Sequence, residues 1–185
     1  MEKLITRLEG RLLRDEPLAR FTAARLGGKA DWLYLAKDSV DDLVEVVMTA
    51  WAEGLPVRVL GGGANVLVSD KGVRGLVVIN SITDIQTGEW HDGRNLSATV
   101  GVSLTHLARK CVSLGLSGME WAVSVPGTVG GAIVNNAGAH GADMSKIVAD
   151  VVVLEADKGV QLYTNEDLQY DYRASILKTR ADRRF

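Results

Sequence analysis

The sequence predicts two α/β lobes, with a glycine-rich loop in each. Three observations predict it. Between Trp32 and Leu60 a strand, an amphipathic helix and a second strand follow one another at the spacing of a βαβ unit. Glycines cluster twice, at Gly61-Gly62-Gly63 and from Val125 to Gly141, where five of 17 residues are glycine. The first cluster fails both common phosphate-binding fingerprints, and no linker, repeat or low-complexity tract divides the chain. The lobe boundary is placed near Ile79 to Thr83.

The first 20 residues are charged and weakly periodic, which predicts a short helix and an extended lead-in. Phe21 to Asp31 reads as a loop closed by Gly27-Gly28, and Trp32 to Ala36 as a strand. Ser39 suits an N-cap, with Asp42 three residues on as the capping-box carboxylate. Leu43, Val46, Val47, Ala50 and Trp51 then form one apolar stripe at helical spacing. Gly54 stops that helix and Pro56 opens the strand Val57 to Leu60.

At the carboxyl end of that strand stands Gly61-Gly62-Gly63-Ala64-Asn65-Val66-Leu67, where α/β sheets bind phosphates. A P-loop would need Gly-Lys-Ser/Thr after four intervening residues, and the dinucleotide fingerprint a third glycine at the position of Val66. Both tests fail, and Val66-Leu67-Val68 reads as a further strand. Asp70 to Gly75 is a turn and Leu76 to Ile79 a buried strand. Ile82 to Val100 is hairpin-like, with turn signals at Gly88 and Asp92-Gly93. Ser103 caps a second helix whose buried stripe is Leu104, Leu107, Ala108, Cys111 and Val112, leaving His106 solvated.

The segment from Val125 to Gly141 organises the second lobe. Its glycines alternate with Val125, Val129, Ala132, Ile133, Val134 and Ala137, unlike a flexible linker, so much of it is expected to be buried. Buried glycine means positive φ or a close approach of backbone to something else, and bare consecutive amides form concavities that bind anions. A phosphate-bearing cofactor against this backbone is one reading; tight strand-to-helix packing without a ligand is the other. Val148 to Glu155 and Val160 to Tyr163 then read as strands joined at Asp157-Lys158-Gly159. Thr164 to Leu168 is a capped helical turn, and the charged residues from Arg180 read as a frayed or truncated end.

Composition bounds the function. Of 185 residues, 46% are hydrophobic and 24% charged, which is ordinary for a globular protein, and a net charge of −2 leaves no footprint for nucleic acid or an anionic membrane. Three histidines and the single Cys111 exclude a disulfide framework and a thiolate metal cluster, so no metal site is expected. Neither a signal-peptide core nor an apolar run near the roughly 20 residues that span a bilayer occurs. A soluble, cytoplasmic chain is the expectation.

Four motifs, collinear over nearly the whole chain, resemble one family. They are Phe-Thr-Ala-Ala-Arg-Leu-Gly-Gly-Lys-Ala-Asp, Val-Leu-Gly-Gly-Gly-Ala-Asn-Val-Leu-Val-Ser-Asp, Pro-Gly-Thr-Val-Gly-Gly-Ala-Ile-Val-Asn-Asn-Ala-Gly-Ala and Tyr-Asp-Tyr-Arg-Ala-Ser. The family is UDP-N-acetylenolpyruvoylglucosamine reductase, the MurB flavoenzymes of peptidoglycan synthesis. The resemblance implies an α+β, two-lobed FAD-binding domain of the PCMH type, lobe one about 20–80 and lobe two about 81–178, with non-covalent FAD extended between the two glycine loops. It implies that amides around Gly61, Gly62, Gly63 and Gly127 meet the pyrophosphate, with Asn65 and Thr128 as side-chain donors and Ala64, Val66, Leu67, Ser124 and Pro126 beside them. Gly130, Gly131, Ala132 and Ala137 would let the flavin ring approach the main chain, with Asn136 and Gly138 completing the site.

By the same resemblance NADPH is the reductant and a nucleotide sugar, UDP-N-acetylglucosamine enolpyruvate, the substrate. Arg173 matches the catalytic arginine that pairs with the substrate carboxylate, and Tyr172 is expected to bind substrate. A surface arginine in a salt bridge is the alternative reading of Arg173 from the residues themselves. The family's proton-donor serine, its carboxyl-terminal carboxylate and its substrate domain fall beyond Phe185, and Ser175 matches a different position. The expectation is therefore a chain that binds FAD without completing substrate reduction; a non-catalytic FAD-binding fragment is the alternative. A short-chain dehydrogenase is suggested by Asn135-Asn136-Ala137-Gly138, but its Tyr-x-x-x-Lys pair does not occur. Covalent flavin attachment finds no support at His140 or Cys111.

Overall fold

The computed structural model of the chain describes Thr6, Leu8 and residues 10–90 and 93–180. It divides into two compact units, Met1–Ile82 and Thr83–Phe185.

Unit one is a four-stranded sheet with one long helix. Its elements are β1 (Leu12–Pro17), a 3-10 turn (Leu18–Phe21), β2 (Lys29–Ala36), α1 (Val40–Ala52), β3 (Val57–Leu60) and β4 (Val73–Asn80). The strand order is β1-β2-β4-β3, with β1 antiparallel to β2 and the other pairs parallel. The central strand β4 is buried from Gly75 to Asn80, as a parallel strand covered on both faces must be, which is why Leu76 to Ile79 is unbroken apolar sequence. Leu18, Ala30, Leu33, Val77 and Ile79 form one core cluster, against which Phe21, Leu60 and Val68 pack.

Helix α1 begins where the sequence places it: the Ser39 hydroxyl accepts from the Asp42 amide at 3.1 Å, and Val46, Val47 and Ala50 are buried. Its stripe is narrower than the sequence suggests, since Leu43 and Trp51 are half-buried. The Asp42 carboxylate is turned instead to the Arg11 guanidinium, 2.6 Å away, and to the buried Tyr34 hydroxyl. Burial first, then the Asp42 contact, pushes the Tyr34 hydroxyl up to about 12. Most of the expected amino-terminal helix lies outside the described residues.

One expected strand is absent. Residues 66–68 form none and leave β3 at the edge of the sheet; only Val68 turns into the core, and Leu67 is 81% exposed.

Unit two holds the hairpin of β5 (Ile85–Trp90) and β6 (Gly93–Ala98), α2 (Leu104–Ser113), a 3-10 turn (Glu120–Ser124) and α3 (Val129–Asn135). The two-residue strands β7 (Gly138–Ala139) and β8 (Ala142–Asp143) follow, then the hairpin of β9 (Asp150–Glu155) and β10 (Gly159–Thr164), and α4 (Ile176–Thr179). Gly88 is not a turn: it lies inside β5 opposite Asn95; of the other expected turn signal, Gly93 begins β6 and Asp92 lies outside the described residues. In α2 Leu104, Leu107, Ala108 and Cys111 are buried as expected and His106 is exposed. Val112 is 59% exposed, because 100° per residue carries it about 80° round from Leu104, off the stripe.

Strand β9 starts at Asp150, two residues later than expected. Asn165 takes the preceding carbonyls: its side-chain amide donates to Val148 O at 2.6 Å and its main-chain N–H to Ala149 O at 2.9 Å. Arg180 is no frayed end. Its guanidinium donates to the buried Glu155 carboxylate at 2.9 Å and to the Tyr163 hydroxyl at 3.0 Å, while Tyr163 also donates to Glu155 at 2.7 Å. Those bonds, Tyr163 first, hold the Glu155 carboxyl at about 2. The rest of that end, 181–185, lies outside the described residues. Among the described residues no helix is long and apolar enough to cross a membrane, and no cluster of His, Cys, Asp and Glu could hold a metal ion.

Candidate functional site

In unit one the site residues follow β3 directly. From Gly61 through Leu67, seven successive amides have no hydrogen-bond acceptor in the chain among the described residues. Unpaired main-chain N–H groups are tolerated only where something else accepts from them, so this run needs water or a ligand. Its side chains do not obstruct one: Gly62, Ala64, Asn65, Val66 and Leu67 are exposed. Gly63 is the exception. It is buried at φ +63°, and a Cβ there would lie 2.0 Å from Phe21 O. Its own carbonyl accepts from the Ala23 amide at 3.0 Å, so Gly63 is glycine because the chain's own backbone occupies the space.

In unit two Ser124 and Pro126 are exposed at the approach to α3. The approach is laced to residues 100–104: Leu104 donates to Gly127 O, Val129 to Val102 O and Gly130 to Val100 O, at 3.0, 2.9 and 2.9 Å. Gly127, at φ +117°, turns the chain so that the intervening amides escape this lacing. Those of Gly127, Thr128 and Gly131 have no acceptor in the chain among the described residues. A Cβ on Gly131 would approach nothing closer than the Thr128 hydroxyl, at 3.7 Å, so this exposed α-carbon is open to a flat ligand.

Other positions expected against a ligand are used internally. A Cβ on Gly130 would lie 2.8 Å from Val100 Cβ and one on Gly138 2.4 Å from Ala142 O, so both are glycine for packing within the chain. Ala132 is buried in the unit-two core and Ala137 packs against it. Asn136, buried at φ +43°, donates through Nδ2 to Asp171 O and accepts through Oδ1 from the Ser145 amide, both at 3.0 Å. Its side chain ties the α3 segment to the residues around Arg173.

Those residues form a minimal hairpin. Asp171 and Ala174 exchange N–H···O bonds of 3.0 and 3.1 Å, leaving Tyr172 and Arg173 at the tip. Arg173 is left-handed at φ +54°, the Asp171 carboxylate accepts from the Tyr172 amide at 2.6 Å, and Lys178 Nζ donates to Arg173 O at 2.7 Å. Beneath, the buried Ser175 hydroxyl donates to Val134 O at 2.8 Å. Among the described residues no carboxylate pairs with Arg173; its guanidinium lies over its own Tyr172 ring, 5.7 Å from the centroid, and Tyr172 is 86% exposed. The salt-bridge reading of Arg173 finds no support here. A fork-shaped cation held out with its neighbouring phenol suits a carboxylate-bearing ligand.

Sequence reasoning missed Thr22, whose signal was only its place in the first motif. It missed also the indole N–H of Trp121 and the hydroxyl of Tyr170, both buried without a partner among the described residues.

The chain belongs to the family of FAD binding domains, whose family model matches residues 33–161. Its fold is α+β, of the PCMH type and not Rossmann. The chain is 40% identical over 174 residues to UDP-N-acetylenolpyruvoylglucosamine reductase of Synechococcus sp. (strain JA-3-3Ab), covering 94% of this chain and 55% of that protein. It is 37% identical over 190 residues to the reductase of Bacillus subtilis (strain 168), covering 96% and 59%. The crystal structure of the Thermus caldophilus reductase (MurB) superposes with a TM-score of 0.69 at 28% identity, over 89% of this chain and 55% of that one. Cholesterol oxidase of B. sterolicum, at 16% identity and a TM-score of 0.59 over 83% of this chain and 32% of its own, shares the fold alone. The chain spans a little over half the length of the curated relatives it matches.

Proposed function

We propose that this chain holds FAD, non-covalently, for the NADPH-dependent reduction of UDP-N-acetylglucosamine enolpyruvate to UDP-N-acetylmuramate, a cytoplasmic step of peptidoglycan synthesis. The observation that carries the reading is the unpaired run of amides from Gly61 through Leu67, with a second unpaired set at Gly127, Thr128 and Gly131. A dinucleotide's pyrophosphate presents the acceptors such amides lack, and Asn65 and Thr128 add side-chain donors. When bound, the flavin supplies hydride transfer between a nicotinamide and a carbon acceptor. Gly131 leaves room for a flat ring, and Ser124, Pro126 and the Asn136–Gly138 backbone frame the same segment.

Arg173 binds and polarises. Reduction of an enolpyruvyl double bond moves negative charge toward the substrate carboxylate. A guanidinium paired there stabilises the transition state more than the ground state. Tyr172 offers the sugar an exposed aromatic face.

The test is a titration of the purified chain with FAD, followed by flavin fluorescence and the visible spectrum. Saturable binding, with all yellow colour released on heat denaturation, is expected. No binding refutes the reading; colour that stays with the denatured chain refutes its non-covalent form. Arg173→Lys should leave FAD affinity unchanged.

A further inference from the structure

We propose that Thr22 is a positioning residue for the amide-lined loop, setting the conformation of Gly61 through Leu67 without itself meeting a ligand. The proposal rests on the FAD reading above and extends it to a segment that holds none of the residues assigned to the site.

Thr22 is only 7% exposed, and its hydroxyl is used twice on one residue. The Oγ1–H donates to Leu26 O at 2.8 Å, and Oγ1 accepts from the Leu26 amide at 3.2 Å. The Arg25 amide closes the same loop onto Thr22 O at 3.0 Å. Five residues are thereby shut into a compact loop, and the amide run leans on it at two points. At Gly63 a Cβ would lie 2.9 Å from Thr22 Cα and 2.0 Å from Phe21 O, while Ala23 donates to Gly63 O. Past the far end, a Cβ on Gly27 would lie 2.8 Å from Val68 Cβ. Between these points the run makes no hydrogen bond of its own through its N–H groups, so its shape is imposed from outside. The element that imposes it is closed by the two bonds of one hydroxyl and a single main-chain bond. Preorganised donors bind an anion better than donors that must be ordered on binding, because the ordering cost falls on affinity.

The test compares the 185-residue wild-type chain with Thr22→Val, Thr22→Ala and Thr22→Ser, reading the FAD Kd by fluorescence titration and the fold by circular dichroism melts. Valine keeps the shape and loses the hydroxyl; serine keeps the hydroxyl and loses the methyl. Valine and alanine should raise the Kd by about 10-fold to 100-fold, the usual effect of removing a group that orients a binding group, with serine within about threefold of wild type. Valine and alanine binding as tightly as wild type would overturn the proposal, as would serine failing alongside them. Loss of the fold in both would also overturn it, by assigning the hydroxyl to the unit's integrity and not to the loop. A wild-type chain that binds no FAD would overturn the proposed function, and this inference with it.

Discussion

Replacing Gly72 by alanine separates two costs that the structure lets be measured apart. Gly72 sits at φ +75° where the loop after the amide run returns to the sheet, and a Cβ there would lie 1.9 Å from Lys29 O. Real Cβ atoms keep at least 3.0 Å from such an atom, so the carbonyl must retreat by the difference. Lys29 is not free to do so, being paired with Pro17 at the start of β2. The left-handed conformation costs alanine roughly 1–2 kcal/mol. Forcing atoms into filled space adds about 1–3 kcal/mol, for a total of roughly 2–5 kcal/mol. Two controls isolate the parts. Gly54 has φ +72° with nothing within 4 Å of an added Cβ, so Gly54→Ala carries the conformational cost alone. Gly28 is not left-handed, yet a Cβ there would lie 2.1 Å from Asp70 O, so Gly28→Ala carries the crowding cost alone. Urea unfolding followed by circular dichroism gives all three, and the double variant Gly28→Ala/Gly72→Ala should cost less than the sum, because the two sites adjoin. A Gly72→Ala chain no less stable than Gly54→Ala would refute the reasoning.

Glu155 sets an acid limit. Its folded value of about 2 lies below the ordinary 4.5, so its stabilisation is complete above pH about 4.5 and is lost as pH falls toward 2; Glu155→Gln should flatten that part of a stability–pH curve. Asn136→Ala should cost about 2–4 kcal/mol in urea unfolding, from a left-handed residue and two orphaned main-chain groups. Val112→Ser should shift stability by no more than about 0.5 kcal/mol while Leu107→Ala costs roughly 2–5 kcal/mol, a comparison that checks the orientation of α2. FAD at a hundredfold excess over its Kd should stabilise the chain by about 2.7 kcal/mol, read as a rise in melting temperature of several degrees.

Legibility followed the physics of each signal. Local chemistry was plain: Ser39 and Ser103 announce their helices because a capping hydroxyl acts within three residues. The burial of Leu76 to Ile79 was plain too, since only a covered strand tolerates unbroken apolar sequence. Val66-Leu67-Val68 misled because β-branched residues favour strands only where a neighbour is available, and no short window reveals the neighbour. The glycines misled in a different way. Their spacing did not tell whether the space beside the α-carbon is open, as at Gly131, or filled by the chain's own Val100, as at Gly130. The structural task of the Asn136 side chain was not legible, because its bond to Asp171 O spans 35 residues, a distance no motif encodes.

The left-handed arginine at the hairpin tip has a price that stability alone would never accept. Glycine or asparagine would occupy that backbone at ease, whereas arginine forgoes roughly 1 kcal/mol there. A procedure that rewarded only a tighter native state would discard it early, and would give back a sturdier chain without the exposed guanidinium proposed above to meet a carboxylate.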